Sequence, residues 1–90
     1  MPIKHLVIRG RVQGVGFRYS MFAAAQTMGI KGWVRNRRDG TVEAMAQASD
    51  KELESFVEWA RRGPRTAEVD EVIVEEGNGE FHDFQIRETL

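Results

Sequence analysis

The chain has 90 residues, 41% hydrophobic and 30% charged, with a net charge of −1, which describes one soluble domain over residues 1–90 with a small core. It has no cysteine, which excludes disulfides, a thiol nucleophile and a cysteine-ligated metal. No apolar run is long enough to cross a bilayer and Met1–His5 lacks the features of a secretion signal, so a cytoplasmic protein without membrane contact is expected.

Charge is spread unevenly. Residues 1–45 hold eight basic and two acidic side chains, whereas residues 46–90 hold five basic and twelve acidic. Either the basic half faces an anion, or the two halves interleave and pair their charges on the surface.

The first predicted strand covers about Ile3–Val12. Leu6, Ile8 and Val12 share one face, with His5, Arg9 and Arg11 on the other. No second histidine stands near His5 at metal spacing, so His5 is expected to be an exposed strand residue. A helix follows over Phe17–Met28, where Phe17, Met21, Ala24, Ala25 and Met28 make one buried stripe and Gly29 ends the run. The second strand is Ile30–Asn36, with Ile30, Gly32 and Val34 opposite Trp33. Asp39-Gly40 marks a hairpin into a third strand, Thr41–Ala48. Arg35, Arg37 and Arg38 read as the solvated flank of that hairpin. Ser49-Asp50-Lys51-Glu52 is a capping box that opens a second helix. Leu53, Phe56, Val57 and Ala60 are its buried stripe, Trp59 packs at its edge, and Gly63-Pro64 stops it. A fourth strand over Val69–Glu76 and a short fifth, Phe84–Arg87, flank a Gly77-Asn78-Gly79 turn. His82 beside that turn is expected to be exposed.

The joint between the first strand and the first helix is unusual. Gly10-Arg11-Val12-Gln13-Gly14-Val15-Gly16-Phe17-Arg18 has three glycines in seven residues. No Ser, Thr, Asp or Asn precedes Phe17 to cap the first amides of the helix. Arg18 puts a cation at the positive end of the helix dipole, which costs about 0.3–1 kcal/mol. Both oddities resolve if an oxyanion, best a phosphate, takes the amides and the guanidinium together. The plainer alternative is a tight turn whose glycines relieve strain, with Arg18 in water. The pattern is neither a Walker A loop nor a dinucleotide fingerprint, lacking the Lys-Ser/Thr of one and the third glycine of the other.

The order β-α-β-β-α-β plus a short strand is an α+β, ferredoxin-like split βαβ sandwich: an antiparallel-dominated sheet with two helices on one face. The first two strands are joined through a helix and run in the same direction. The glycine loop and Asn36 therefore reach the same edge of the sheet, with the third strand between them.

These residues resemble a known family. Gly10–Arg18 is similar to the signature loop of the acylphosphatases. Gly32-Trp33-Val34-Arg35-Asn36, followed by Asp39-Gly40-Thr41-Val42-Glu43, resembles their second signature. The resemblance continues through Gly63-Pro64, Ala67-Glu68-Val69 and Phe84-Gln85-Ile86, and only the tail Arg87-Glu88-Thr89-Leu90 matches nothing in the pattern. It implies hydrolysis of a carboxylate–phosphate anhydride without metal, cofactor or covalent intermediate. By the same resemblance Arg18 binds the phosphate, backbone amides of Gly14, Val15, Gly16 and Phe17 form its cradle, and Asn36 orients the attacking water.

The chemistry suits these residue types. An acyl phosphate is already activated, so its hydrolysis needs positioning and charge neutralisation above all. The expected partners are a small acyl phosphate substrate and inorganic phosphate or sulfate as competing anions, with the protein a monomer that binds no nucleic acid. The competing reading is a non-catalytic domain that binds an anion or RNA. RNA binding on an open sheet needs aromatics on the central strands, and the first and third strands carry none.

Overall fold

The computed structural model describes residues 1–89. Its elements are β1 (Ile3–Arg11), α1 (Phe17–Met28), β2 (Lys31–Asn36), β3 (Val42–Gln47), α2 (Asp50–Arg62), β4 (Glu68–Glu76) and β5 (Phe84–Ile86). Leu90, the end of the unmatched tail, lies outside the described residues. The five strands form one sheet in the order β4-β1-β3-β2-β5. β3 is antiparallel to both β1 and β2, β4 is antiparallel to β1, and β5 alone is parallel to its neighbour, β2. This is the expected split βαβ arrangement with its extra strand.

Strand alternation builds the core. Leu6 and Ile8 on β1, Val34 on β2, and Val42, Ala44 and Ala46 on β3 are fully buried on the helix-covered face. Phe17, Met21 and Ala25 from α1 and Leu53, Phe56 and Ala60 from α2 close over them. Each large apolar side chain so buried contributes about 1.5–3 kcal/mol. Ala24 and Met28, expected in the α1 stripe, are only half-buried at its margin. Local signals set the helix ends. Ser49 Oγ accepts from the Glu52 amide at 3.3 Å, and Glu52 Oε1 accepts from the Ser49 amide at 3.2 Å. Trp59 lies edge-on to Phe17 with ring centroids 5.5 Å apart, which ties α2 to the start of α1.

Gly10 is required by packing between strands. The β1–β4 register shifts between Arg9 and Gly10, and a Cβ at residue 10 would stand 2.2 Å from the Glu68 carbonyl oxygen. The resulting bulge bends β1 just before the glycine loop.

At the margin of the helix-covered face, Lys4 of β1 meets Glu76 of β4 at 2.7 Å. The opposite face of the sheet is polar, and there Arg9 and Arg11 of β1 meet Glu71 and Glu68 of β4, both at 3.5 Å. The basic and acidic halves thus pair across adjacent strands, in exposed pairs that each contribute about 0–1 kcal/mol. Two expectations are corrected on this face. His5 is half-buried rather than exposed, because Glu43 sits diagonally across on β3 and its Oε2 accepts from His5 Nε2 at 2.6 Å. Arg35 is not a solvated flank: its Nε donates to Glu43 Oε1 at 2.8 Å, and its guanidinium covers the Trp33 ring at 4.6 Å. Arg87 covers the same ring at 5.1 Å, and Trp33 is buried as a result.

Glu43 is the centre of that network. Burial raises its carboxyl pKa, but the hydrogen bonds from His5 and Arg35 and their charges outweigh the burial and leave it below the ordinary value of 4.5. A depressed carboxylate stabilises the fold above its unfolded pKa, and that contribution is lost as pH falls through the folded one. Glu43→Gln is therefore expected to lower stability by about 1–2 kcal/mol at pH 7. The gap between variant and wild type should close as pH drops below the 4.5 reference. Denaturant unfolding at neutral pH and near pH 3 checks this, and a gap that persists in acid would contradict it.

Candidate active site

After β1 the chain turns through residues 13–16 and enters α1 at Phe17. Gly14 and Gly16 have φ of 75° and 76°, in the left-handed region, while among the described residues no non-glycine residue has positive φ. A Cβ at either glycine would meet nothing within 4 Å, so backbone hand, not space, demands glycine here. An L-residue in that conformation costs about 1–2 kcal/mol. Alternating hand along a backbone turns successive N–H groups toward one concave side. Gly16 is the N-cap of α1, with no side-chain cap and no acidic residue in the first turn. Among the described residues, the N–H groups of Gly14, Val15, Gly16, Phe17, Arg18 and Tyr19 have no protein acceptor; the first paired amide is that of Ser20, which donates to Gly16 O at 3.0 Å. The loop is thus a bowl of unpaired donors at the positive end of a helix.

Arg18 stands in the first turn of α1, half-buried. Arg9, Arg11, Arg35 and Arg37 each lean on a carboxylate, whereas Arg18 pairs with none among the described residues. Asn36 ends β2 on the helix-covered side, in line with Val34. Its register partner on β3 is Val42, which in turn faces Ile8 near the end of β1. Asn36 Oδ1 is buried without a hydrogen-bond partner among the described residues. Leaving such an oxygen unpaired costs about 1–3 kcal/mol. The expected juxtaposition is present: both signature segments leave the sheet at one edge, separated by β3.

Two further side chains hold the loop, and the sequence reading missed both. Gln13 Nε2 donates to the carbonyl oxygens of Arg37 and Thr41, at 2.7 and 2.8 Å. One amide so ties the glycine loop to the hairpin that follows Asn36. The hairpin is itself braced, since Asp39 Oδ1 accepts from the Thr41 amide at 3.0 Å and from its hydroxyl at 2.6 Å. Those bonds, the hydroxyl first, hold the Asp39 carboxyl below its ordinary range. On the other side, Thr66 Oγ1 donates to Val15 O at 2.7 Å. Nothing in local spacing marks Gln13 or Thr66, because their partners lie 24, 28 and 51 residues away. The surface also has a hollow away from this loop, under α2 between Lys4, Leu53, Val57 and Val74. No group of three or more His, Cys, Asp or Glu among the described residues has the arrangement of a metal site.

Comparison with known proteins gives a consistent answer. The acylphosphatase family model matches residues 4–86. The chain is 50% identical to an acylphosphatase of Cupriavidus pinatubonensis, with all of both chains covered. It is 52% identical to one of Pyrobaculum arsenaticum, covering 100% of this chain and 98% of the relative. Among solved structures, the acylphosphatase of Bacillus subtilis superposes with a TM-score of 0.92 at 38% identity, covering 97% of this chain and 99% of the other.

The Gln13 bridge is open to a direct test. Gln13→Ala withdraws one donor shared by two carbonyls and unties loop from hairpin. A loss of about 1–2 kcal/mol in unfolding free energy is expected. Shifted amide resonances at Gly14, Gly16 and Phe17 should accompany it. An unchanged denaturation midpoint together with unmoved loop amides would show that the loop is held by other means.

Proposed function

We propose how one reaction is carried out here: the chain belongs to the acylphosphatase family and is a hydrolase that splits acyl phosphates into a carboxylate and inorganic phosphate. Arg18 grips two phosphoryl oxygens with its fork. The backbone amides of Gly14, Val15, Gly16 and Phe17 surround the same group and stabilise the charge that its equatorial oxygens carry in the transition state. They are already aimed, so no reorganisation is needed as that charge develops. Asn36 Oδ1 accepts a hydrogen from a water and turns the oxygen's lone pair toward phosphorus. That water attacks in line, the bond from phosphorus to the acyl oxygen breaks, and the electron pair leaves with the carboxylate. The water's proton passes to a phosphoryl oxygen, since the two carboxylates of the second signature are engaged elsewhere, Asp39 by Thr41 and Glu43 by His5 and Arg35. The carboxylate is a good leaving group and needs no acid.

One observation carries this reading: a buried Asn36 oxygen without a partner shares a sheet edge with six unpaired amides and an arginine free of carboxylates among the described residues. In this setting inorganic phosphate and sulfate compete for the cradle, and the protein acts as a cytoplasmic monomer without nucleic acid. An RNA-binding reading gains nothing from the open face. β1 and β3 present no Phe, Tyr or Trp there, His5 is engaged by Glu43, and Trp33 on β2 lies under two guanidinium groups.

The decisive experiment follows phosphate release from a generic acyl phosphate beside a phosphate monoester. Rapid turnover of the first alone is expected, with competitive inhibition by inorganic phosphate. No turnover of either would leave only the anion-binding domain. Arg18→Ala is expected to weaken phosphate inhibition and slow turnover about 10²–10³-fold. Arg18→Lys should recover little, because a point charge lacks the fork; near-normal turnover of that variant would refute the bidentate grip. Asn36→Ala is expected to cut kcat on the order of 10²-fold while leaving KM and phosphate inhibition nearly unchanged. Its thermal midpoint should hold or rise, since an unpaired buried oxygen is removed. Normal kcat with a lowered midpoint would instead make Asn36 a hairpin-shaping residue.

A further inference from the structure

The cradle has a weak point. Val15 lies between two glycines, and the peptide joining Val15 to Gly16 turns about the ψ of one and the φ of the other. Glycine accepts both signs of φ almost equally. Rotating that peptide through half a turn would swap the directions of the Val15 carbonyl and the Gly16 N–H. The bowl would then present a carbonyl oxygen to an anion where it had presented a donor.

One side chain opposes this rotation. Thr66 Oγ1 donates to the Val15 carbonyl oxygen at 2.7 Å. In a planar trans peptide the C=O and N–H point in opposite directions. Holding the Val15 oxygen toward Thr66 therefore holds the Gly16 N–H away from it. Gly16 N–H is among the amides without a protein acceptor, so nothing else in the described chain fixes its direction. Thr66 is itself well placed to act as an anchor. It sits in the connection from α2 to β4, in a turn closed by Ala67 N–H donating to Pro64 O at 3.0 Å. That connection is seated on the start of α1, where a Cβ at Gly63 would come within 2.8 Å of the Phe17 ring.

We propose that Thr66 is a positioning residue for the reaction: its hydroxyl locks the Val15–Gly16 peptide in one orientation and keeps the Gly16 N–H aimed at the phosphoryl group. This rests on the reading of residues 14–17 as the phosphate cradle. Thr66 touches no reacting atom, and its effect passes through the one peptide that it holds. Because the same amide meets the phosphoryl group of substrate, product and transition state, substrate binding and turnover change together when it is lost.

Thr66→Val keeps the branched shape and removes the donor, while Thr66→Ser keeps the donor. Kinetics on a generic acyl phosphate, inhibition by inorganic phosphate, thermal midpoints and a phosphate titration of the Gly16 amide resonance are measured on all three proteins. For Thr66→Val a loss of about tenfold in kcat/KM is expected, with a similar weakening of phosphate inhibition. Its midpoint should stay within about 2 °C of wild type, since the residue is exposed. Thr66→Ser should return to within about twofold of wild type on both kinetic measures. Wild-type kinetics in the valine variant, or a serine variant as impaired as valine, would overturn the proposal. If phosphate leaves the Gly16 amide unmoved in the wild-type protein, the cradle reading itself fails. A normal wild-type response with an unaffected valine variant removes Thr66 alone.

Discussion

The insertion of β3 between β1 and β2 is the constraint on which the rest depends. Ile8 faces Val42 and Val42 faces Asn36, so one row of backbone pairing runs from the end of the first strand to the end of the second. The glycine loop and the hairpin emerge from the two ends of that row. A slip of one residue in either pairing would flip every side chain of the strand to the other face. It would carry Asn36 from the helix-covered side to the polar one, and Leu6 and Ile8 out of the core. The register is therefore held by burial, and the site inherits its precision from the core.

Around this frame the site gathers groups that a folding optimum would avoid. Gly14 and Gly16 give up backbone entropy, Arg18 opposes the α1 dipole, and Asn36 keeps an unpaired buried oxygen. At the start of α2, by contrast, Ser49 and Glu52 satisfy the orphan donors of the first turn. The two helix starts, in one small domain, differ in kind: one is closed by its own side chains and the other leaves its first amides open. The core residues that support both are ordinary. The exceptional positions cluster at one edge of the sheet.

Much of this was readable from the residues in order. Period-two alternation on the strands, helical spacing, the Ser49–Glu52 box and Asp39-Gly40 gave the elements and their faces, and shared strand direction brought Arg18 and Asn36 to one edge. Side chains whose partners lie far along the chain were not readable. His5 and Arg35 looked like surface residues until β3 put Glu43 across from both. Gln13 sits inside the quoted signature, yet its two acceptors come from a hairpin placed by the fold. The uneven charge of the two halves admitted two explanations, and the β1–β4 pairing of Lys4, Arg9 and Arg11 decides for surface pairing, with Arg18 the exception at the site.

The central position of β1 also governs how the chain reaches this state. Its neighbours in the sheet are distant in sequence: Lys4 and Glu76, joined across β1 and β4, stand 72 residues apart. Loop-closure entropy must be met before such pairings return anything, and topologies of this kind fold over roughly milliseconds to seconds rather than microseconds. No early local hairpin contains the site, because its two halves hang from β1 and β2 and meet only when β3 lies between them. A refolding chain therefore brings the glycine loop and Asn36 to one edge only after β1, β3 and β2 have paired, so their juxtaposition marks a late, non-local event.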